Sequence, residues 1–291
     1  MTLRSSVVAH PLRIGLKLSQ QVHSIEAQRE AWRTADAAGF DHIWPFDHLI
    51  ALGKDPAQPI FDGWTTLGAV AENTKRAHIG LNVTGNLYRH PGLLAKIAVT
   101  VDHLSGGRLE MGMGAAWNAP EFQMYGIPFP SAADRIRMMD EACSVLKALW
   151  TEERATYKGR FYQLDQAIAE PKPIQKPYPP IWIGGVGPKL TLRVVAKHAD
   201  VWNSNAPTPE DTVALTKILD EHCTKVGRDP ATIRRSSQVR AEKDDDALRI
   251  AESVLRAGFT ELLVFPFPGG DLRAGVERAA ALLPRLRALA R

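Results

Sequence analysis

Acid–base chemistry near neutral pH calls for an imidazole with a carboxylate close by. This 291-residue chain carries Asp-His three times, at Asp41-His42, Asp47-His48 and Asp102-His103. A histidine so placed can shuttle protons, and the carboxylate can raise its pKa or fix its tautomer. The plainer reading of any one of them is a polar pair satisfying loop backbone. Other residues suit a flat, phosphorylated ligand. In Asn82-Val83-Thr84-Gly85-Asn86, Asn82 and Thr84 alternate onto one face and can hydrogen-bond the edge of a heterocycle, while Gly85 permits close approach. Ordinary loop capping explains the same residues. The run from Ile181 to Lys189 holds Gly184, Gly185 and Gly187 ahead of a predicted helix. It offers backbone N–H groups and the Lys189 charge to a phosphate, or it makes a tight turn. Trp117 and Glu121 can recognise a substrate, or can anchor and cap their own loop.

Several chemistries lack their residues. The chain has no G-x-x-x-x-G-K-[ST] loop, no G-x-S-x-G elbow and no H-E-x-x-H, and its nine histidines are scattered without ligand spacing. No dedicated metal site is expected. Cys143 and Cys223 lie far apart in helix-like patterns, which excludes a metal knuckle or redox pair and reads as buried reduced thiols. The formal charge of +4 is spread along the chain except for Arg273, Arg278, Arg285, Arg287 and Arg291. At helical spacing those arginines read as a solvated helix face, so no nucleic-acid partner is expected. No apolar run is long enough to span a membrane, and a soluble, cytoplasmic protein is the expectation.

The elements that would position these residues alternate along the chain. Strands are predicted at 11–18, 40–46, 77–84, 109–113, 181–183, 199–203, 233–239 and 260–265, each followed by a helix, with the fourth helix delayed to 132–150. Between Glu152 and Pro180 the pattern changes to a β-hairpin, turning at Lys158-Gly159 and resuming over 160–164, and then a proline-rich link. Parallel strands need helical crossovers and eight of them close well, so the pattern implies an α/β fold, a closed (β/α)8 TIM barrel. Residues 1–291 are expected to form one domain, with insertions after strand four and before strand five. An open doubly wound sheet is the alternative, but its G-x-G-x-x-G is missing from the first turn. In a barrel, catalytic groups sit at the C-terminal ends of strands. Only Asp47-His48 meets that condition; Asp41-His42 and Asp102-His103 fall on the opposite side.

The ordered series Arg89-His90-Pro91, Leu94-Ala95-Lys96, Asp102, Leu104-Ser105-Gly106-Gly107-Arg108, Gly112, Gly114, Trp117, Glu121-Phe122, Tyr125-Gly126, Gly184-Gly185 and Ala199-Asp200 resembles the luciferase-like monooxygenase superfamily. Within it, the similarity is to the F420-dependent oxidoreductase subgroup. The resemblance implies a barrel with a deazaflavin or flavin across its C-terminal mouth. It places catalytic Asp47 and His48 at the reactive ring and Asn82, Val83, Thr84 and Gly114 beside it, with the Asn82–Val83 peptide cis. Tyr125 would lie near the ribityl chain, Gly184, Gly185 and Gly187 at the phosphate, and Trp117 and Glu121 in the substrate pocket. The implied activity is hydride transfer between F420 and a small organic substrate, with His48 as proton donor or acceptor and Asp47 orienting it. Two alternatives stand beside it, an FMN-dependent monooxygenase fed by a partner flavin reductase, and a cofactor-binding protein without turnover. A homodimer is the usual assembly in such relatives. Two departures from the pattern are Ala115 and Ala116, where glycine is common, and Pro45, which removes a ladder donor from strand two.

Overall fold

The computed structural model describes residues 10–206, 208–265 and 271–290. In chain order the elements are β1 (Arg13–Lys17), α1 (Ile25–Ala38), β2 (His42–Trp44), α2 (Gly63–Asn73), β3 (His78–Gly80), β4 (Thr84–Gly85), α3 (Pro91–Leu104), β5 (Leu109–Gly114), α4 (Ala119–Met124) and α5 (Ala132–Thr151). There follow β6 (Ala155–Lys158), β7 (Gln163–Ala167), β8 (Ile181–Gly184), α6 (Thr191–His198), β9 (Val201–Ser204), α7 (Pro209–Lys225), β10 (Arg234–Val239), α8 (Asp244–Arg256), β11 (Glu261–Val264) and α9 (Leu272–Ala288). The helix starts are written in side chains that complete the first-turn donors. Ser24 accepts from Ala27 N–H at 3.2 Å and Asp62 from Thr65 N–H at 2.8 Å. Gly39 then ends α1 at φ 98°, a conformation glycine adopts without penalty.

The strands pair in parallel in the order β3-β2-β1-β11-β10-β9-β8-β5, and β5 returns to β3, which closes the expected (β/α)8 barrel. The third barrel position is broken in two. Gly80 pairs with Glu110 and Thr84 with Met113, so four steps along one strand face three on its neighbour, leaving one extra residue to bulge. The Asn82–Val83 peptide, inside this bulge, is cis. Gly112 makes the approach possible, because a Cβ there would lie 1.8 Å from the Leu81 carbonyl oxygen. β2 ends at Trp44, just before Pro45, whose carbonyl accepts from Asn82 N–H at 2.9 Å. Pro45 therefore costs the ladder nothing. It lies where the strand has already stopped.

One core fills the space between barrel and helices, and a smaller one of Trp44, Trp182, Val201 and Leu263 fills the barrel. The hairpin between α5 and β8 is present, but its turn is wider than the sequence implied. Lys158 pairs with Gln163, leaving four residues in the loop and moving the second arm to Gln163–Ala167. Glu141 explains the difference, since its carboxylate accepts from the Arg160, Phe161 and Tyr162 N–H groups at 2.9, 2.9 and 3.1 Å. The short helix α4, opened by Ala119-Pro120, was not anticipated, and α6 begins at Thr191, leaving Lys189 outside it. Cys143 and Cys223 are free and buried. Arg273, Arg278 and Arg285 line the solvated face expected of them, paired with Glu30, Asp244 and Asp245, whereas half-buried Arg287 donates to the Gly39 carbonyl and to Asp41, and Arg291 lies outside the described residues. Among the described residues no helix is long and apolar enough to cross a membrane, and no group of acidic, histidine or cysteine side chains could hold a metal ion.

Candidate active site at the barrel mouth

The loops leaving the C-terminal ends of the strands surround a cavity of about 690 Å³. Of the residues the sequence singled out, Asp47, His48, Asn82, Val83, Gly114, Trp117, Gly184 and Gly185 line it. His48 is the best placed for proton transfer. Its Nδ1 lies 2.8 Å from Glu121 Oε1, and Glu121 also accepts from the Leu49 N–H at 2.9 Å and from the Tyr88 hydroxyl. Glu121 is fully buried. Burial alone would push its pKa up, but the hydrogen bonds from His48, Tyr88 and Leu49 outweigh it and hold the carboxyl below its ordinary value. An ionised Glu121 fixes the proton on His48 Nδ1 and leaves Nε2, which has no protein partner among the described residues, to give or take a proton in the cavity.

The carboxylate against His48 is thus Glu121 and not Asp47. Consecutive residues in extended chain project to opposite sides, and Asp47 turns to the other wall. Its Oδ2 accepts from Arg89 at 2.7 Å and from the Thr84 hydroxyl, whose oxygen in turn accepts from Trp64 Nε1 at 2.9 Å. Burial raises the Asp47 pKa against the opposing pull of Arg89 and Thr84, and Oδ1 is left buried without a partner. Thr84 and Glu121 accordingly stand behind the lining and support it. Trp117, 65% exposed, sets its ring 5.7 Å from that of His48 and covers it from the solvent side.

Val83 makes a flat wall opposite. A Cβ on Gly114 would lie 2.5 Å from Val83 Cγ2, and one on Gly184 3.0 Å from Val83 Cγ1, so both glycines are required for the bulge to seat this side chain. Gly185, at φ 132°, turns the chain away from β8, but its N–H is already committed to the Asn203 carbonyl at 3.2 Å. The hydroxyl-bearing Thr191 at the start of α6 lines the cavity there, whereas Gly187 does not. Tyr125 is also outside the lining, 58% exposed with its hydroxyl donating to the Leu49 carbonyl at 3.2 Å. It follows a short helix that carries it over the outer surface.

Several lining residues were not picked out from the sequence. Lys17 donates to the Asn82 carbonyl and to Asn82 Oδ1 at 2.8 and 2.9 Å. Asn82 Nδ2 reaches Asn203 Oδ1 at 3.2 Å, Gln238 donates to the same oxygen at 3.1 Å, and Arg240 Nε donates to Gln238 Oε1 at 3.0 Å. Burial and the nearby Arg240 charge lower the Lys17 pKa to about 7. Lys17, Asn203 and Gln238 all lie at or near the C-terminal ends of barrel strands, the same positional signal that selected His48. The other two Asp-His pairs are structural, as their positions implied. Asp41 accepts from Ile14 N–H at 2.7 Å, and Asp102 from Ile174 N–H at 2.7 Å and Gln175 Nε2 at 2.8 Å.

Known proteins with this architecture are close enough to place the chain. It is 34% identical over 271 residues to an uncharacterised protein of Mycobacterium tuberculosis, covering 87% of this chain and 92% of that one. It is 32% identical over 222 residues to an F420-dependent glucose-6-phosphate dehydrogenase of Microbacterium testaceum, covering 75% of this chain but only 64% of the relative. Among solved structures, an F420-dependent secondary alcohol dehydrogenase in complex with an F420–acetone adduct superposes with a TM-score of 0.84 at 20% identity, over 97% of this chain and 100% of that one, a likeness of fold. The family model for luciferase-like monooxygenases matches residues 5–284, and the chain belongs to that family.

Proposed function

We propose that this chain is an F420-dependent oxidoreductase acting on a small organic substrate, and the observation that carries the reading is the His48–Glu121–Tyr88 relay in the cavity wall. The residues fit a flat heterocycle with a phosphorylated tail. Val83, seated between Gly114 and Gly184, offers an unobstructed apolar face, Asn82 offers an amide at its edge, and Thr191 offers a hydroxyl at a helix start. F420, when bound, supplies the hydride chemistry. The chain's own part is acid–base and steric. His48 Nε2 delivers or accepts the substrate proton, Glu121 and Tyr88 keep the imidazole in one tautomer, and Trp117 restricts water at that side. Asp47, locked to Arg89 and Thr84, holds the loop from which His48 projects.

The test is a titration of the purified protein with F420 and with FMN, followed by hydride transfer with secondary alcohols and glucose 6-phosphate as trial substrates. F420 binding is expected, and His48→Ala is expected to lower turnover about 10²- to 10⁴-fold while the F420 Kd stays within about threefold. Tight FMN binding without F420 binding would replace this reading with a flavin-dependent monooxygenase supplied by a reductase. Full turnover in His48→Ala would remove the relay from the chemistry.

A further inference from the structure

The charges around the cavity do not balance. Its acidic lining residue, Asp47, is already paired with Arg89 at 2.7 Å. Lys17, Arg240 and Arg135 line the same cavity, and none makes an ion pair with a carboxylate among the described residues; Arg135, on α5, is engaged by the Phe129 ring and the Pro130 carbonyl, whereas Lys17 and Arg240 share one ring. The undescribed stretches, residues 1–9, 207, 266–270 and 291, contain no aspartate or glutamate side chain. The two cations flank one ring, with Lys17 Nζ 5.4 Å and Arg240 Cζ 4.5 Å from the centre of Phe265. Burial first, and then the Arg240 charge, lower the Lys17 pKa, so the two like charges act on each other. Holding two cations this close costs free energy unless something negative joins them.

Their place in the mouth says what that is. Lys17 ends β1, which pairs with β2, and Phe46 links it to the relay: Lys17 Nζ sits 5.9 Å from the Phe46 ring, whose centre is 5.4 Å from that of His48. The glycine turn and Thr191 belong to β8 and α6, two strands beyond β10 in the barrel order. Lys17 is therefore on the proton-transfer side of the cavity, and Arg240, three strands from β2 and two from β8, meets it at the shared Phe265 ring.

We infer that the substrate carries a compact anionic group, a carboxylate or a phosphate, held by Lys17 and Arg240 while its reacting carbon faces His48. Asn82 and Gln238, which accept from the two cations, fix where their remaining donors point. The inference rests on reading the cavity as an F420-dependent active site.

The experiment adds inorganic phosphate, acetate or neutral acetamide to F420-saturated protein and measures binding by calorimetry. Saturable binding of phosphate or acetate, with none of acetamide, is expected, and whichever anion binds tighter names the anionic class. Arg240→Gln is expected to weaken that anion at least about tenfold, Lys17→Met likewise, and Arg240→Lys to restore most of it. The F420 Kd should change less than about threefold in the two Arg240 variants. Absence of saturable anion binding overturns the inference. So does competition between anion and F420, which would assign the cations to the cofactor tail. Should F420 itself fail to bind, the functional reading falls, and the same titration on the ligand-free protein still decides the anion site.

Discussion

The two ends of this barrel bury charge in opposite ways. At the N-terminal end, the first or second residues of seven strands meet in one cluster. Glu110 contacts Arg13 and His78 at 3.0 Å each, Arg234 at 3.6 Å and Trp182 Nε1 at 2.5 Å, while Glu261 takes Arg234 at 2.5 Å, His42 at 3.4 Å and Arg13 at 3.6 Å. Two carboxylates face two arginines and two histidines, closed beneath the Trp44–Trp182 pair. At the C-terminal end, Lys17 and Arg240 have no such partner and His48 keeps a ring nitrogen for the cavity. The same strands supply both ends, so the difference is one of purpose. The lower cluster pairs both its carboxylates with arginines of the fold, although the His42 ring nitrogens, His78 Nδ1, Trp44 Nε1 and Glu261 Oε2 lack hydrogen bonds among the described residues, whereas at the upper end Lys17 and Arg240 have no carboxylate partner among them.

That contrast is broken or upheld most strongly by deletion. Removing one member of a buried ion-pair network strands the charges it faced, at a cost of about 3–5 kcal/mol. Glu110→Ala is expected to lose this much in urea unfolding followed by tryptophan fluorescence. Arg240→Gln at the mouth should lose no more than about 0.5 kcal/mol. Comparable losses at both ends would erase the distinction.

The next largest effect is in pH. Burial raises the Glu261 pKa from 4.5 to about 7 against the opposing pull of Arg13 and Arg234. Between those values the folded chain keeps a proton that the unfolded chain has released. The contribution is therefore full below about 4.5 and is lost as pH rises through about 7, a change on the order of 3 kcal/mol. Glu110 works in the reverse sense and in a different window. Burial would raise its pKa, but His78, Arg13, His42 and Arg234 together hold it well below the ordinary range, so its contribution is lost only as pH falls below about 4.5. Unfolding free energy measured from pH 4.5 to 7.5 should fall in the wild type relative to Glu261→Gln, which cannot ionise. A constant difference between the two would show that Glu261 is ionised throughout, a full partner of its arginines.

How much of this was legible in the sequence follows the same division. The eight strands, their crossovers and most helix ends could be read because hydrophobic periodicity and caps are local signals: Ser24, Asp62 and Gly39 act where they stand. His48 was found from its place at a strand end, and Asp41 and Asp102 were set aside by the same rule. What stayed hidden was pairing across the chain. Glu121 reaches His48 over 73 residues, so the adjacent Asp47 looked the natural partner. The Glu141 contacts that widen the hairpin turn and the Asn203 carbonyl that occupies Gly185 N–H are likewise distant in sequence. Lys17 and Gln238 are silent in the sequence for another reason. Each stands singly at or near a strand end, with no neighbour of matching chemistry in the sequence to mark it.

Ala116 offers the finest test of an upper end shaped for its ligand. It lines the cavity at φ 60°, the left-handed region, where an alanine Cβ crowds the following carbonyl at a cost of about 1–2 kcal/mol. Glycine removes that cost but gives back about 0.5–1 kcal/mol of chain entropy. Ala116→Gly is therefore expected to raise the unfolding free energy by about 0.5–1 kcal/mol, read as a higher urea midpoint at unchanged slope. If the methyl group instead packs against the bound ligand, the same variant binds F420 more weakly while its own stability rises. The mouth would then have kept a strained backbone, at some loss of stability, for the sake of that contact. A midpoint that falls would show that the methyl group stabilises the empty fold, and that strain at this end of the barrel has no connection with binding.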